Sequence, residues 1–240
     1  RQQPPKTEMT EGKTLLEVCC ADVESVRAAA RAGAPRIELC SALTSGGVTP
    51  SLSLLKAARR EFGGTIHVLV RCRDGNFVYS DAEKRLMLDD IAVCSGYADG
   101  IVAGALRADM SLDEEFARDV RTATQGMPLT FHRAFDRCAD RTAALETLCA
   151  LGYDRILTSG GADSAQAGAS EIGRLRELAG GRITLLAGAG VNARNAREIL
   201  ELTGCSEIHG SCRRQGSESS SVDEIQKVMT AIGCKPTIYP

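Results

Sequence analysis

Tryptophan is absent from this 240-residue chain, and aromatic residues make up only 4% of it. A buried core must therefore come mainly from leucine, valine, isoleucine and alanine, as in parallel sheets that are covered by helices. Long apolar runs are also absent, since a segment such as 183–191 is far too short to span a bilayer. No apolar stretch opens the chain, so we expect neither membrane association nor a secretory signal.

Charge of one sign is not concentrated anywhere in the sequence. The 29 basic and 31 acidic residues give a formal net charge of −2 without a basic patch or tail, which argues against nucleic-acid binding. The ten cysteines include no Cys-x-x-Cys pair, and there is no His-Glu-x-x-His, so neither a zinc ribbon nor a zincin is indicated. Without a signal peptide, free thiols are expected, and nothing indicates an organic cofactor.

Short apolar runs alternate eight times with longer amphipathic segments, which predicts βαβ units and a parallel sheet. The predicted strands are 15–19, 36–40, 65–71, 100–105, 129–134, 155–159, 183–188 and 207–212. The predicted helices are 22–32, 51–62, 81–96, 112–124, 141–151, 171–179, 193–202 and 222–232.

Eight such units favour one α/β domain, a closed (β/α)8 TIM barrel with eight parallel strands. The competing fold is an open doubly wound sheet, which would normally carry Gly-x-Gly-x-x-Gly after its first strand. Here that position reads Cys19-Cys-Ala-Asp22, with no glycine. We therefore expect a polar N-terminal tail at 1–14, a barrel domain at 15–234 and a C-terminal tail at 235–240.

Polar residues interrupt strands that should be apolar on both faces. Within each strand they lie two or four residues apart, so they share a face. A charged side chain is better accommodated in the lumen, near the C-terminal mouth where barrel active sites lie, than against the helices. The predicted lumenal set is Glu17, Cys19, Glu38, Cys40, His67, Arg71, His132, Glu207 and His209. An ion-pair network without chemistry remains an alternative.

Glu17, Glu38, Arg71 and His132 are the candidate catalytic residues if the chain is an enzyme. The two glutamates are predicted to lie at matching depth on neighbouring strands. Two close carboxylates cannot both ionise freely unless a cation intervenes, so either Arg71 or Arg133 lies nearby or one glutamate is protonated near neutral pH.

Two further sets of residues suggest ligands. Cys19 and Cys40 end adjacent strands, so their thiols could approach closely enough for two-coordinate Cu(I). The loops after the last three strands are rich in glycine and hydroxyl groups, which suits an anion such as phosphate, although glycines also simply make tight turns. The candidate anion-binding residues are Ser159, Gly160, Gly188, Gly190 and Ser211.

Six motifs in order resemble the CutC copper-homeostasis proteins, over about residues 15–213. They are LEVC at 16–19, RIELC at 36–40, GGVTPS at 46–51, FHRAFD at 131–136, LTSGG at 157–161 and EIH at 207–209. The resemblance implies a cytoplasmic (β/α)8 barrel that self-associates and takes part in copper tolerance and trafficking. It also implies that Cys19 and Cys40 bind Cu(I), and it assigns no enzymatic reaction.

The sequence departs from the family pattern in two loops. The usual Arg-Pro-Arg-Gly-Gly-x-Phe reads RCRDGNF at 71–77, and the usual Gly-Gly-Gly reads GAG at 188–190, which puts the tightness of that loop in doubt. Two functions are therefore compared. The first is a Cu(I)-binding homeostasis protein with copper as its partner. The second is a barrel enzyme that acts on a small anionic metabolite, and the two can coexist.

Overall fold

Eight parallel strands close into one barrel in sequence order, and each is followed by a helix. The computed structural model describes residues 14–239. Its strands are β1 Leu15–Cys20, β2 Arg36–Leu39, β3 Thr65–Leu69, β4 Gly100–Ala103, β5 Leu129–Phe131, β6 Arg155–Thr158, β7 Thr184–Gly188 and β8 Glu207–Gly210. Its helices are α1 Val23–Ala32, α2 Leu52–Glu61, α3 Asp81–Cys94, α4 Glu114–Ala123, α5 Arg141–Ala150, α6 Ala169–Ala179, α7 Ala196–Thr203 and α8 Val222–Ile232. The predicted (β/α)8 barrel is confirmed.

Local capping residues explain where several helices begin and end. The Asp22 carboxylate accepts a hydrogen bond from the backbone N–H of Ser25 at 2.7 Å, which starts α1. Gly33 ends that helix in the left-handed conformation, with φ at 72°. At α3, Ser80 and Glu83 form a reciprocal capping box. These short-range signals fix the turns that return the chain from each helix to the barrel.

Strand alternation divides the side chains of β1 between two environments. Leu16, Val18 and Cys20 belong to the large apolar core that includes the helices, whereas Cys19 belongs to a small separate cluster. That second cluster consists of Cys19, Cys40, Leu69 and Val102 and lies inside the barrel. Cys20 packs towards the helices, and the predicted lumenal position of Cys19 is confirmed.

The strand register corrects one expectation about depth. Glu17 pairs with Arg36, and Cys19 pairs with Glu38. Glu38 therefore lies one lumenal step above Glu17, and the prediction of matching depth was wrong. Several strand boundaries also differ from those predicted; in particular, β3 ends before Arg71 and β5 ends before His132. Both residues lie in the loops at the C-terminal mouth.

The last described residues lie at the opposite end of the barrel. The predicted N-terminal tail falls almost wholly outside the described residues. Residues 235–239 lie against the barrel: the Thr237 N–H donates to the Gly33 carbonyl at 2.8 Å, and the Tyr239 ring lies 5.3 Å from that of Phe62. Every helix within residues 14–239 is too short or too polar to cross a membrane.

Candidate functional site

A cavity of about 370 Å³ opens among the loops that follow the strands. Its walls bring together six of the candidate catalytic, metal-binding and anion-binding residues, namely Cys19, Glu38, Arg71, His132, Gly190 and Ser211. Cys40 lies beside Cys19 and is fully buried. Glu17, Ser159, Gly160 and Gly188 do not line it. The cavity is therefore the place where these candidate residues could contact a ligand.

The two lumenal thiols lie side by side. Cys19 Sγ and Cys40 Sγ are 3.9 Å apart, and both are free thiols. Leu69 and Val102 pack around them, so the pair sits in an apolar wall of the barrel. The hydrogen bond with Cys40, together with burial, raises the pKa of the Cys19 thiol well above its ordinary value. A metal ion that binds here must therefore displace a proton.

Glu17 lies below the cavity, where it is completely buried. Arg36 Nε donates to Glu17 Oε2 at 2.5 Å, and His209 Nδ1 lies 2.9 Å from Glu17 Oε1. Burial alone would raise the pKa of Glu17, but Arg36 and hydrogen bonds from His209 and His67 hold it well below its usual range. Glu17 is an anion that holds its neighbours in place, and Arg36 is the intervening cation, instead of Arg71 or Arg133.

Glu38 differs from Glu17 in having no direct ion pair with an arginine among the described residues. Burial raises the pKa of Glu38 to about 7, and the charge of Glu17 adds to the increase, while His209 opposes it. Its Oε1 accepts a long contact of 3.8 Å from Cys19 Sγ, and its Oε2 has no partner within the described part of the chain. One oxygen of this carboxyl group is therefore buried without a partner, in a side chain that lines the cavity.

Cys19, Glu38 and His209 form a group that could hold a metal ion. One ligand atom of each lies within 4.8 Å of the others. Because a carboxylate only accepts hydrogen bonds, His209 Nδ1 donates to Glu17, and Nε2 is the ring nitrogen left for a ligand. Burial opposes a charge on His209, but Glu38 and Glu17 outweigh it and raise the pKa of His209.

Arg71 and His132 lie on neighbouring parts of the cavity wall. The Arg71 guanidinium donates to the carbonyls of Gly47 at 2.8 Å and Gly75 at 2.9 Å, which ties two loops together. His132 accepts a hydrogen bond at Nδ1 from the Ala134 N–H. Burial, with a smaller effect of Arg71, lowers the pKa of His132 to about 3. His132 is therefore a neutral imidazole at physiological pH.

The loop after β6 already binds an anion of the protein itself, the Asp136 carboxylate from the loop after β5. Asp136 accepts hydrogen bonds from the backbone N–H groups of Ser159 at 3.0 Å and Gly161 at 3.1 Å. The Gly160 N–H donates to the Thr158 hydroxyl at 2.9 Å. The donors proposed for an external anion at Ser159 and Gly160 are therefore engaged within the protein. The structure places these two residues behind the cavity wall.

The loop after β7 contains a strained alanine. A Cβ at Gly188 would lie 2.6 Å from the Leu157 side chain and 3.3 Å from His209 Cβ, so this glycine provides space. Ala189, at the site of a family glycine, has φ at 93°, and Gly190 follows at 70°. Ala189 nevertheless keeps the loop closed, since its carbonyl accepts from the Ala165 N–H at 3.0 Å. The loop is tight, and its strain is stored at Ala189.

Ala189→Gly is expected to raise the free energy of unfolding by about 0.5–1 kcal/mol. Glycine adopts the left-handed conformation without the steric cost to alanine, which stabilises the folded protein by roughly 1–2 kcal/mol. The greater flexibility of glycine in the unfolded chain offsets part of this gain. Urea denaturation monitored by circular dichroism would measure the change. Ala193→Gly is the matched control, because Ala193 lies in the same loop without a left-handed φ and should lose stability. Equal losses in both variants would contradict the strain at Ala189.

Three residues of the site were not assigned in advance. Arg36 shares strand parity with Glu38 and Cys40, so alternation alone could have placed it in the lumen. His209 was recognised as lumenal, but its proximity to Cys19 and Glu38 depends on β8 pairing with β1. Asp136 lies in a short 3₁₀ helix, and no sequence signal linked it to the loop after β6.

Comparison with known proteins agrees with the motifs. The CutC family model matches residues 14–214. The human copper homeostasis protein cutC homolog is 46% identical over 200 residues, which is 83% of this chain and 73% of that protein. A CutC family protein of Agrobacterium fabrum is 45% identical, with 85% of this chain and 81% of that protein covered.

A solved structure shows the same architecture. The putative copper homeostasis protein CutC of Streptococcus agalactiae superposes with a TM-score of 0.79 at 36% identity. The alignment covers 82% of this chain and 98% of that chain. With a family match across most of the barrel and relatives well above 30% identity, the chain belongs to the CutC family.

Proposed function

We propose that this protein binds Cu(I) through Cys19 and Cys40, within the copper homeostasis for which its relatives are named. The observation that carries the proposal is the 3.9 Å separation of the two sulfur atoms. Two-coordinate Cu(I) needs sulfurs about 4–5 Å apart, roughly twice a metal–sulfur bond of the length known for zinc. The thiols therefore need to move only a little, and thiolates select Cu(I) over harder ions.

The surroundings of the two thiols fit an ion that is bound and released better than an ion that stays bound for structural stability. Cys19 lines the cavity, while Cys40 is fully buried behind it, so an ion would enter past Cys19. His209 lies within 4.8 Å of Cys19 and offers a third ligand of a type that copper accepts. We infer that copper passes between the cavity and the thiol pair, with His209 as the exchange partner.

An anaerobic Cu(I) titration against a competing chelator tests the proposal. The native protein should bind one ion tightly, and the Cys19→Ser, Cys40→Ser double variant should lose that site. A Cys94→Ser, Cys149→Ser double variant is the matched control, because those two cysteines lie in α3 and α5, away from the cavity. Unchanged stoichiometry and affinity in the Cys19, Cys40 variant would show that these thiols are not the site.

Three expectations stay predictions, two of them implied by the family resemblance and the third, the domain bounds, indicated by the eight sequence units. They are a cytoplasmic location, self-association of the chain, and a barrel domain at 15–234 with short tails on either side. Size-exclusion chromatography with light scattering would measure the number of chains in the particle, and a particle of one chain would contradict self-association.

A further inference from the structure

A second set of polar atoms at the cavity is distinct from the thiol pair and from His209. Within residues 14–239, seven buried side-chain nitrogen or oxygen atoms have no hydrogen-bond partner. Three of them, Glu38 Oε2, Arg71 Nε and His132 Nε2, belong to side chains that line this one cavity. All three side chains are at least nine-tenths buried. Buried polar groups are nearly always paired, so their convergence on one cavity indicates a missing ligand.

Arg71 and His132 present hydrogen-bond donors. Since the Ala134 N–H donates to His132 Nδ1, the neutral ring carries its proton on Nε2. Arg71 uses its terminal nitrogens on the Gly47 and Gly75 carbonyls, and the Tyr79 side chain also lies close to the guanidinium. Its Nε makes no hydrogen bond of good geometry within residues 14–239. The unpartnered atoms are therefore one cationic donor and one neutral donor.

Rigid contacts hold the two donors in position. The Phe77 ring lies 4.9 Å from Arg71 Cζ and 5.1 Å from the His132 ring, so it packs against both. On another side, a Cβ at Gly104 would lie 3.0 Å from the His132 ring, which shows how closely the backbone approaches the imidazole. Donors fixed in this way need no reorganisation to receive a ligand.

The charge of the cavity wall suits an anion. Arg71, Arg133 and Arg213 line it, and Glu38 is the one acidic residue among the described residues of the wall. Arg133 is partly neutralised by Asp136 at 2.8 Å, but the balance stays positive. A volume of about 370 Å³ corresponds to about twelve water molecules, enough for a small metabolite.

We propose that the cavity binds a small metabolite whose carboxylate or phosphate oxyanion accepts hydrogen bonds from Arg71 Nε and His132 Nε2. A hydroxyl on the same metabolite donates to Glu38 Oε2. The oxyanion donors are separate from the copper proposal, because neither is a thiol and Arg71 and His132 lie outside the metal-ligand group, whereas Glu38 belongs to both sets.

The first test is an NMR titration of the metal-free native protein, which needs no substitution. The chain has only three histidines, so the His132 imidazole signals can be assigned. Inorganic phosphate, succinate and malate are added separately, and at least one should move these signals saturably. A response to phosphate would indicate a phosphate group on the metabolite, and a response to the dicarboxylates would indicate a carboxylate. Malate differs from succinate by one hydroxyl and should bind roughly threefold to tenfold more tightly. Equal affinities would contradict the contact with Glu38.

Variants then test the two donors. Arg71→Met and His132→Asn should each weaken binding by about tenfold or more, because each removes one donor to an anion. The asparagine side chain can still accept from the Ala134 N–H, so the local fold is kept even if Arg71→Met loosens the two loops it ties. Arg107→Met is the matched control, because it removes the same charge from an exposed residue in the loop after β4, outside the cavity wall.

Two outcomes would overturn the proposal. One is the absence of saturable shifts at His132 with all three probes. The other is a loss of affinity in Arg107→Met equal to that in Arg71→Met and His132→Asn, which would mean general charge attraction. The NMR titration uses the metal-free native protein and is read at His132, whereas the copper titration is read at the thiols, so either proposal can fail without the other.

Discussion

Arg36→Met is expected to lower the free energy of unfolding by about 3–5 kcal/mol, the usual cost of removing one partner from a buried ion pair. Arg36 is 3% exposed and contacts two carboxylates. Its Nε lies 2.5 Å from Glu17 Oε2, and its Nη2 lies 2.5 Å from Glu207 Oε2. Methionine keeps most of the packing volume but supplies no charge. Glu17, which is fully buried, would then keep only histidine partners, His209 and His67.

A double variant separates the charge from the packing. Arg36→Met combined with Glu17→Gln removes both charges and should recover much of the loss, because Glu17 no longer carries an uncompensated charge and Glu207 keeps Arg155 at 2.8 Å. Arg182→Met is the matched control: Arg182 pairs with Glu146 at 2.7 Å, but both side chains are nearly half exposed. Its loss should stay within about 1 kcal/mol. Urea denaturation of the four proteins measures these differences. Similar losses at Arg36 and Arg182 would refute a special role for the buried pair.

The face on which each polar residue lies could be predicted from the sequence, whereas its depth could not. Parity along a strand is a local property, and it correctly placed Glu17, Cys19 and Glu38 in the lumen. Depth depends on the stagger between neighbouring barrel strands, which is a property of barrel closure. The register placed Arg36 beside Glu17 and Glu38 one step higher. This difference changes Glu17 from a candidate acid into a structural anion.

The proximity of the thiols was predictable because both cysteines follow lumenal residues on adjacent strands. The role of the loop after β6 was less predictable. Its serine and glycines resemble an anion site in sequence, and the structure supplies an anion from Asp136 in the preceding loop. Asp136 and Ser159 are 23 residues apart, and nothing local in either segment specifies their contact. Contacts between residues so far apart in the sequence can be identified only from the closed barrel.

The conformation of Ala189 is another feature that the local sequence does not specify. The sequence showed a glycine replaced by alanine and predicted a loop that closes less tightly. The structure keeps the loop closed, with Ala189 in the left-handed region and its carbonyl bonded to Ala165. Long-range hydrogen bonds therefore outweigh the local preference of one residue.

Acidification is expected to destabilise the native protein through His132. The pKa of His132 is lowered to about 3 in the folded protein, from an ordinary value near 6.5. As pH falls below 6.5, the unfolded chain takes up a proton at this residue and the folded chain does not, so stability is lost as pH falls. For this one group, linkage gives a loss of about 2 kcal/mol between neutral pH and pH 5, growing further towards pH 3.

The matched comparison is His132→Asn, which removes the titrating ring and keeps an acceptor for the Ala134 N–H. Other groups titrate alike in both proteins, so their contributions cancel in the difference. Urea denaturation between pH 7.5 and pH 5 should show the native protein losing about 2 kcal/mol more than the variant. The NMR signals of the His132 ring should stay unchanged over the same range, since the folded-state pKa lies below it. Parallel stability profiles, or a His132 signal that titrates near pH 6, would show that the imidazole is open to protons and that the wall of the cavity is wetter than its burial implies.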